Sequence, residues 1–198
     1  MSSIPSLAVL LVAALVDADP VAGRTGQCTY VARPSKANSS LELESHGVCC
    51  IYSADGAPRF EKRMLSAIQR NPEGLGAVFV NGDGWYYVDR KGGAAKVLAW
   101  DNGPDEFAGG VVRSAHDGKI GYLDRTLRFV IPPAYDFAWP FENGRAMVCV
   151  GCAIGRPDED GHTLVDGGLW GYIDRKGKEV IPVRYSQSEL KSLTAHQN

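Results

Sequence analysis

The sequence predicts a mainly β fold of antiparallel hairpins, in which three to four similar units stack into an open or curled array. The chain has 23 Gly and 11 Pro among many Val, Ile and Tyr residues, a composition typical of short strands joined by tight turns. Variants of one phrase also recur, as DGWYYVDRKG, GKIGYLDRTLRFVIP and GLWGYIDRKGKEVIP. A phrase copied along a chain indicates a repeated structural unit.

The N-terminus predicts a signal peptide over residues 1–18. Residues 7–16 read LAVLLVAALV, an apolar run far shorter than the roughly 20 residues that span a bilayer as a helix. Val16 and Ala18 suit the positions that a signal peptidase recognises, so we expect cleavage after Ala18 and export to the periplasm or the extracellular space. The alternative is a buried apolar strand or helix. Residues 19–48 are then expected to form a partly irregular N-terminal segment.

Composition limits the classes of partner. The formal net charge is -2 and the pI is about 6.1, so the surplus of Lys and Arg that binds nucleic acid or an anionic membrane is absent. We expect no nucleic acid, no stable membrane insertion after processing and no cofactor. The expected partner is a protein or another component of the cell envelope, and the oligomeric state is left open.

Three copies of the unit align on a tyrosine. Each of Tyr87, Tyr122 and Tyr172 is followed by an aliphatic residue and then Asp-Arg, and another aromatic residue stands thirteen positions further on. The first two tyrosines are 35 residues apart and the next two are 50 apart. The copies therefore begin near residues 85, 120 and 170, with an insertion over residues 152–168.

A fourth, eroded copy is predicted over residues 49–80, which gives a repeat domain over residues 49–186 and a tail over 187–198. Within this copy Phe60, Met64, Leu65 and Ile68 follow a helical spacing. This spacing predicts a short helix near residues 60–70.

Each copy is predicted to form a hairpin. Trp170 and Tyr172 lie two residues apart and so project to one face of a strand. Asp174 begins the following turn, because its carboxylate can accept backbone N–H groups, and Gly177 ends it with a positive φ. A lone hairpin is marginal in water, so large rings gain most of their stabilisation when the next unit covers them.

These features resemble WG repeats, also called KWG repeats. The matching residues are Trp-Gly-Tyr-Ile-Asp at 170–174, Ile-Pro-Pro-Ala-Tyr-Asp at 131–136 and Pro-Phe-Glu-Asn-Gly at 140–144. The chain departs from the pattern where Ile120 replaces Trp, Tyr86 replaces Gly and Leu127 replaces the turn Gly, and Leu127 leaves the type of its turn open. The resemblance implies a repeated β module and no particular activity.

A residue that recurs once per unit is expected to be structural rather than catalytic. The structural set is Trp85, Tyr87, Asp89, Gly92, Tyr122, Asp124, Trp170, Tyr172, Asp174 and Gly177. Trp100 and Trp139 are likewise predicted as core rings, although a tryptophan left exposed can form a platform for a sugar or a peptide. No catalytic and no cofactor-binding residue is assigned.

The insertion carries Asp158, Asp160 and Asp166, whose carboxylates are of the type that binds Ca²⁺. Their spacing matches no calcium loop, so a solvated acidic loop is the favoured interpretation and a metal site is the weak alternative. An enzyme of the cell envelope, a hydrolase using these acidic residues with or without a metal, is the alternative function.

The five cysteines, Cys28, Cys49, Cys50, Cys149 and Cys152, fit an exported protein with disulfides and one unpaired thiol. We expect Cys28 to pair with Cys49 or Cys50, of which only one is well placed because adjacent strand residues point to opposite faces. Cys149 and Cys152 are predicted to form a local disulfide or to remain structural thiols. A thiol-redox role is an alternative that requires an exposed thiolate.

Together these observations predict an exported, non-catalytic β-repeat module for binding or scaffolding. Insertions into repeats commonly lie on one face of the array, so residues 152–168 are the expected contact with a partner.

Overall fold

A computed structural model describes residues 22–35, 39, 41–157 and 163–195. The predicted signal peptide and residues 158–162 of the insertion lie outside this range. The described residues form fifteen strands and two helices, and the pairings between strands are antiparallel. The predicted mainly antiparallel β class is confirmed. No helix within these ranges is long and apolar enough to cross a membrane.

The first sheet has six strands in the order β3-β2-β1-β4-β5-β6. Its elements in chain order are β1 (Thr25–Val31), β2 (Leu43–Tyr52), β3 (Pro58–Phe60), helix α1 (Lys62–Ala67), β4 (Gly76–Val80), β5 (Gly84–Val88) and β6 (Ala94–Lys96). Helix α1 confirms the short helix predicted near residues 60–70. Residues 19–48, which the sequence predicted as partly irregular, contribute β1, an interior strand that pairs with both β2 and β4.

The second sheet has the order β11-β10-β9 and follows a two-stranded ribbon of β7 and β8. The bounds are β7 (Ala99–Trp100), β8 (Gly103–Pro104), β9 (Val112–His116), β10 (Lys119–Leu123) and β11 (Phe129–Tyr135). The ribbon β7-β8 contributes Trp100, so this side chain stands on a two-residue strand rather than within a broad sheet.

The third sheet has the order β12-β13-β14-β15, and a helix follows it. The bounds are β12 (Phe137–Ala138), β13 (Arg145–Pro157), β14 (Thr163–Asp174), β15 (Glu179–Tyr185) and α2 (Gln187–Ala195). Most of the insertion is not a loop, because β13 and β14 stay paired as far as Pro157 and Thr163. It forms a hairpin arm. The predicted tail over residues 187–198 contains α2.

The same turn closes the hairpin of all three copies. The backbone N–H of Asp89, Asp124 and Asp174 donates to the carbonyl four residues later, over 2.8–2.9 Å. The Oδ1 atom of each aspartate also accepts hydrogen bonds from the backbone N–H groups two and four residues later. Leu127 adopts this geometry with φ 61°, where the other copies place Gly92 and Gly177. The second copy therefore keeps the turn without its glycine.

A bulge explains the glycine of the Trp-Gly pair. Tyr122 pairs with Ile131 and Ile120 pairs with Tyr135, so three residues of β11 lie opposite the single Gly121. The bulged backbone packs directly onto this glycine, and the third sheet repeats the arrangement at Gly171. A side chain at either position would collide with the neighbouring strand.

Successive apolar clusters join the units in chain order. Trp85 and Tyr87 of the first sheet pack with Val112 and Leu123 of the second. Tyr122 of the second sheet packs with residues of the third, including Ile173. Trp170 packs with Leu190 of α2. Helix α2 thus covers the ring that a further unit would otherwise cover.

Candidate functional site

The predicted turn aspartates each serve their own turn. Asp89, Asp124 and Asp174 each accept hydrogen bonds from the backbone that follows them. The N–H groups of Lys178 and Lys176 hold the pKa of Asp174 below its usual value. A carboxylate occupied in this way organises its turn, and the three residues form no shared set.

Two of the repeated tyrosines hydrogen-bond to the segment that follows their own hairpin. The Tyr87 hydroxyl donates to the carbonyl oxygen of Asp105 over 2.9 Å, and the Tyr122 hydroxyl donates to that of Trp139 over 2.6 Å. Burial raises the pKa of Tyr87 to about 12, so the phenol remains a donor. Tyr172, the equivalent tyrosine of the third copy, is only half-buried.

Trp100 and Trp139 correct a prediction. Both were expected in the core, but 41% of Trp100 and 38% of Trp139 is exposed. The ring centroids lie 5.7 Å apart with the planes at 72°, so the two indoles form a corner that faces solvent. The corner matches the exposed platform that the sequence left open as an alternative for a tryptophan outside the core.

A buried ion pair holds this corner in place. The Arg113 guanidinium donates from Nε and NH2 to the carboxylate of Asp105 over 3.0 and 2.6 Å, and both side chains are 2–3% exposed. The NH1 group of Arg113 donates to the carbonyl of Ala138, the residue before Trp139, over 2.9 Å. Its carbon Cζ lies 4.6 Å from the centre of the Trp100 ring. Arg113 therefore positions both tryptophans.

The tryptophan corner opens into a cleft of ≈590 Å³ between the β7-β8 ribbon and the third sheet. We call it the aromatic cleft. Arg145 lies over the Tyr172 ring at 4.8 Å, and Glu142 exchanges two backbone hydrogen bonds with Arg145 across a tight turn. The lining residues are Trp100, Trp139, Pro140, Glu142, Asn143, Arg145, Met147 and Tyr172. The lining combines ring surface with one acid, one base and one amide.

A larger concavity of ≈680 Å³ lies beside α2 and is less suited to binding. Its lining has a single aromatic side chain, Tyr185, with Ser188, Glu189, Ser192 and Leu193. Binding sites combine apolar surface with a few fixed polar groups. The aromatic cleft meets this description better because its rings are held by buried contacts.

Comparison with known proteins identifies the repeat. The family described as WG containing repeat matches residues 120–151 and 170–188. The chain contains WG repeats in these two segments. No curated protein and no solved structure matches the chain significantly. The matched segments include Gly121 and Gly171, which contact the bulges, and they also include Trp139, Arg145 and Tyr172 of the cleft.

The cysteines near the N-terminus correct a second prediction. Cys49 and Cys50 were expected on opposite faces of β2, yet both are buried, at 2% and 0% exposure. Gly26 pairs with Cys50 and Gln27 with Val48, so Cys49 is the extra residue of a β-bulge. The bulge turns both side chains towards Cys28, and the three sulfur atoms lie within 4.8 Å of one another.

Two disulfides use four of the cysteines. Cys28 pairs with Cys49 at a Cα–Cα distance of 5.8 Å, and Cys149 pairs with Cys152 at 6.1 Å. Cys50 remains a buried thiol, and burial raises its pKa. A thiol that is buried and protonated is a poor nucleophile. The redox alternative concerned Cys149 and Cys152; Cys149 is fully buried and bonded to Cys152, so this pair does not present the exposed thiolate that a thiol-redox centre requires.

The acidic insertion forms no site within the described residues. Asp166 lies exposed on β14 and accepts the backbone N–H of Gly167 over 2.7 Å, while Asp158 and Asp160 fall outside the described ranges. The arm and the strand residues at its base carry four exposed apolar residues, at 42–77% exposure: Val150, Ile154, Leu164 and Leu169. The part of the arm that the structure describes is apolar rather than acidic.

A polar cluster in the first sheet was missed by the sequence analysis. Asp83 accepts hydrogen bonds from the hydroxyls of Tyr52 and Tyr86 and from the ammonium group of Lys96. Burial and these bonds raise the pKa of both tyrosines. Protonated donors around an ionised acceptor make a structural network, and no sequence motif marks it because its members come from three strands and a turn.

Proposed function

We propose that this WG-repeat protein is an exported, non-catalytic binding module and that the aromatic cleft is its binding surface. The observation that carries the proposal is the pair of exposed indoles of Trp100 and Trp139. Aromatic rings usually bury their large apolar area. Here a buried ion pair fixes two of them in contact with solvent, which favours a surface prepared for a ligand.

The chemistry of the lining supports binding rather than catalysis. General acid–base catalysis requires a positioned proton donor and acceptor near the reacting atoms. The cleft has one carboxylate, that of Glu142, on an exposed turn, and its one basic group is the guanidinium of Arg145. Arginine stays protonated in proteins. A hydrolase that uses two acids is not favoured by this lining.

The N-terminal sequence and the disulfides support export. The apolar run at residues 7–16 and the small residue Ala18 suit a cleaved signal peptide. Two disulfides fit a protein that matures outside the reducing cytoplasm. N-terminal sequencing of the protein purified from its native host tests this part. The expected first residue is Asp19, and an intact Met1 would overturn export.

We place the main contact in the cleft rather than in the hairpin arm that the sequence favoured. The arm contacts the fold at its base, where Gly151 donates to Asp136 and Val165 packs with the Trp170 cluster. Trp139 instead follows Ala138, whose carbonyl is held by the buried guanidinium of Arg113. Rigid aromatic groups lose little conformational entropy on binding. The cleft is therefore the stronger choice for an anchor.

Cosedimentation with the insoluble cell-envelope fraction of the native host tests the binding surface. We expect Trp139→Ala to weaken cosedimentation by about tenfold or more, as for a central aromatic anchor. The matched control is Phe129→Ala, since Phe129 is also 38% exposed but lies on β11 outside the cleft. Replacing residues 154–165 by Asn-Gly removes the outer arm and should leave binding intact. Unchanged cosedimentation of Trp139→Ala would refute the proposal.

A further inference from the structure

The charges around the aromatic cleft balance. Glu142 and Arg145 contribute one negative and one positive group at the rim. Arg113 lies beneath Trp100, but its charge is matched by Asp105 within a buried pair. A ligand of either net charge would meet a like charge at the rim. The balance therefore favours an uncharged ligand.

The rim offers hydrogen-bonding groups of both kinds. The Glu142 carboxylate only accepts, the Arg145 guanidinium only donates, and the Asn143 amide does both. Residues 142–145 form a tight turn, with Asn143 and Gly144 at φ 50° and 80°, so these groups are presented together. A suitable ligand carries neighbouring groups that both donate and accept, as hydroxyls do.

The ring faces are partly occupied by cations of the protein itself. Arg113 covers one face of Trp100 at 4.6 Å and Arg145 covers Tyr172 at 4.8 Å. The cation–π capacity of these two rings is already in use, which disfavours a quaternary or protonated amine. The exposed indole surface remaining at Trp100 and Trp139 is suited to stacking against C–H groups.

The geometry points to an uncharged oligosaccharide as the ligand of the aromatic cleft. A pyranose ring offers an apolar C–H face to an indole, while its equatorial hydroxyls reach sideways to acceptors and donors. The cleft volume of ≈590 Å³ lies inside the roughly 300–1,000 Å³ of small-ligand sites. This inference rests on the proposed function, because it assigns a ligand class to the same cleft.

A proline-rich peptide is the strongest competing ligand, since aromatic grooves also bind such segments. Proline has no backbone N–H. A run of prolines therefore leaves the acceptor Glu142 without a partner, whereas each sugar hydroxyl can donate to it. Desolvating a carboxylate without a donor is costly, so the saccharide fits the rim better.

Titration calorimetry and tryptophan fluorescence on the mature full chain test the assignment. The neutral probes are cellohexaose, chitohexaose, maltohexaose and xylohexaose, and the competing probes are hexagalacturonate, the chitosan hexamer and decaproline. We expect at least one neutral probe to bind. Trp139→Ala should then weaken its binding by about tenfold or more, and Glu142→Gln by about three- to tenfold. The control Phe129→Ala should bind as the wild type does.

The outcomes separate this inference from the function on which it rests. Selective binding of decaproline or of a charged probe, lost in Trp139→Ala, would overturn the saccharide and leave the binding module standing. The assignment of a saccharide ligand is also overturned if no neutral probe binds but cosedimentation with the envelope fraction still depends on Trp139. Neutral-saccharide binding that survives Trp139→Ala would overturn the assignment to the cleft. If Trp139→Ala cosediments with the envelope fraction as the wild type does, the proposed function itself is refuted.

Discussion

Gly171 and Ile181 approach so closely that a methyl group added to the glycine would lie 2.6 Å from the Ile181 carbonyl oxygen. Gly121 and Ile131 repeat this relationship at the same distance. The obstacle is backbone, which cannot rotate away as a flexible side chain does. At the corresponding position of the first copy, Tyr86 pairs with Lys96 in a regular register, so the bulge is absent and a large side chain fits.

Gly171→Ala should lower the free energy of unfolding by ~1–3 kcal/mol, because overpacking forces the neighbouring strand to shift. Gly103→Ala is the matched control, since an added methyl there has no heavy atom within 4 Å. Urea unfolding followed by circular dichroism measures both variants. Equal stability of the two variants would contradict the role assigned to the bulge.

Asp105→Ala should destabilise the fold by about 3–5 kcal/mol, because it leaves the buried guanidinium of Arg113 without its counter-charge. The comparison is Lys96→Ala, which breaks a pair whose lysine is 49% exposed and should cost less than ~1 kcal/mol. Asp105→Ala should also change the fluorescence of Trp100, whose ring covers Arg113. A small loss of stability in Asp105→Ala would show that the ion pair does not organise the tryptophan corner.

Asp174 should make stability depend on pH in the acid range. Its folded pKa is lowered by the N–H groups of Lys178 and Lys176, so its contribution is present above the unfolded value of about 3.9. The contribution is lost as the pH falls through the folded pKa. Asp174→Asn keeps an acceptor oxygen but does not titrate. Urea unfolding at several pH values should therefore show that this variant loses less stability than the wild type below about pH 4. An identical loss in the two proteins would argue against a contribution from Asp174.

Cys49→Ser should allow Cys28 to pair with Cys50, because the sulfur atoms of the cluster lie within 4.8 Å of one another. Peptide mass mapping without reduction identifies the pairing. In the wild type the Cys50 thiol should react with iodoacetamide only after unfolding, since its side chain is buried. A free Cys28 in Cys49→Ser, or rapid alkylation of native wild type, would contradict the arrangement around the bulge.

Leu190→Ala should destabilise the protein by about 2–5 kcal/mol, as for other truncations of buried leucines. Leu190 is 1% exposed and packs with Trp170 in the last apolar cluster, so the emission of Trp170 should also shift to the red. The control is Leu193→Ala on the same helix, because Leu193 is 40% exposed. Similar losses for both leucines would mean that α2 does not cover the last unit through Leu190.

Local sequence signals predicted the hairpins and the helix, because turn residues and spacing act over a few positions. The aspartate turn even survives where Leu127 replaces glycine, since the backbone bonds of Asp124 are kept. The positions of Trp100 and Trp139 could not be predicted in this way. Whether a ring is buried depends on which residues of the neighbouring unit cover it. Trp100 stands on the short β7-β8 ribbon, where little of the fold covers its ring.

Two further features depend on contacts between distant residues. Cys49 and Cys50 share a face only because β1 and β2 slip by one residue at the bulge. Arg113 looks in the sequence like an ordinary surface cation on a strand. It is buried because Asp105, in the preceding ribbon, and the Ala138 carbonyl, 25 residues later, supply its partners.

The contact between glycine and bulge also determines which piece of this chain can be transplanted. The glycine and the bulge lie on two different strands of one hairpin, so a portable segment should contain the whole of residues 120–135 or 170–185 rather than a single strand. An engineered protein with additional units would have to receive them upstream of residue 170. Helix α2 must remain last, because it closes the apolar layer that each added unit would otherwise leave open.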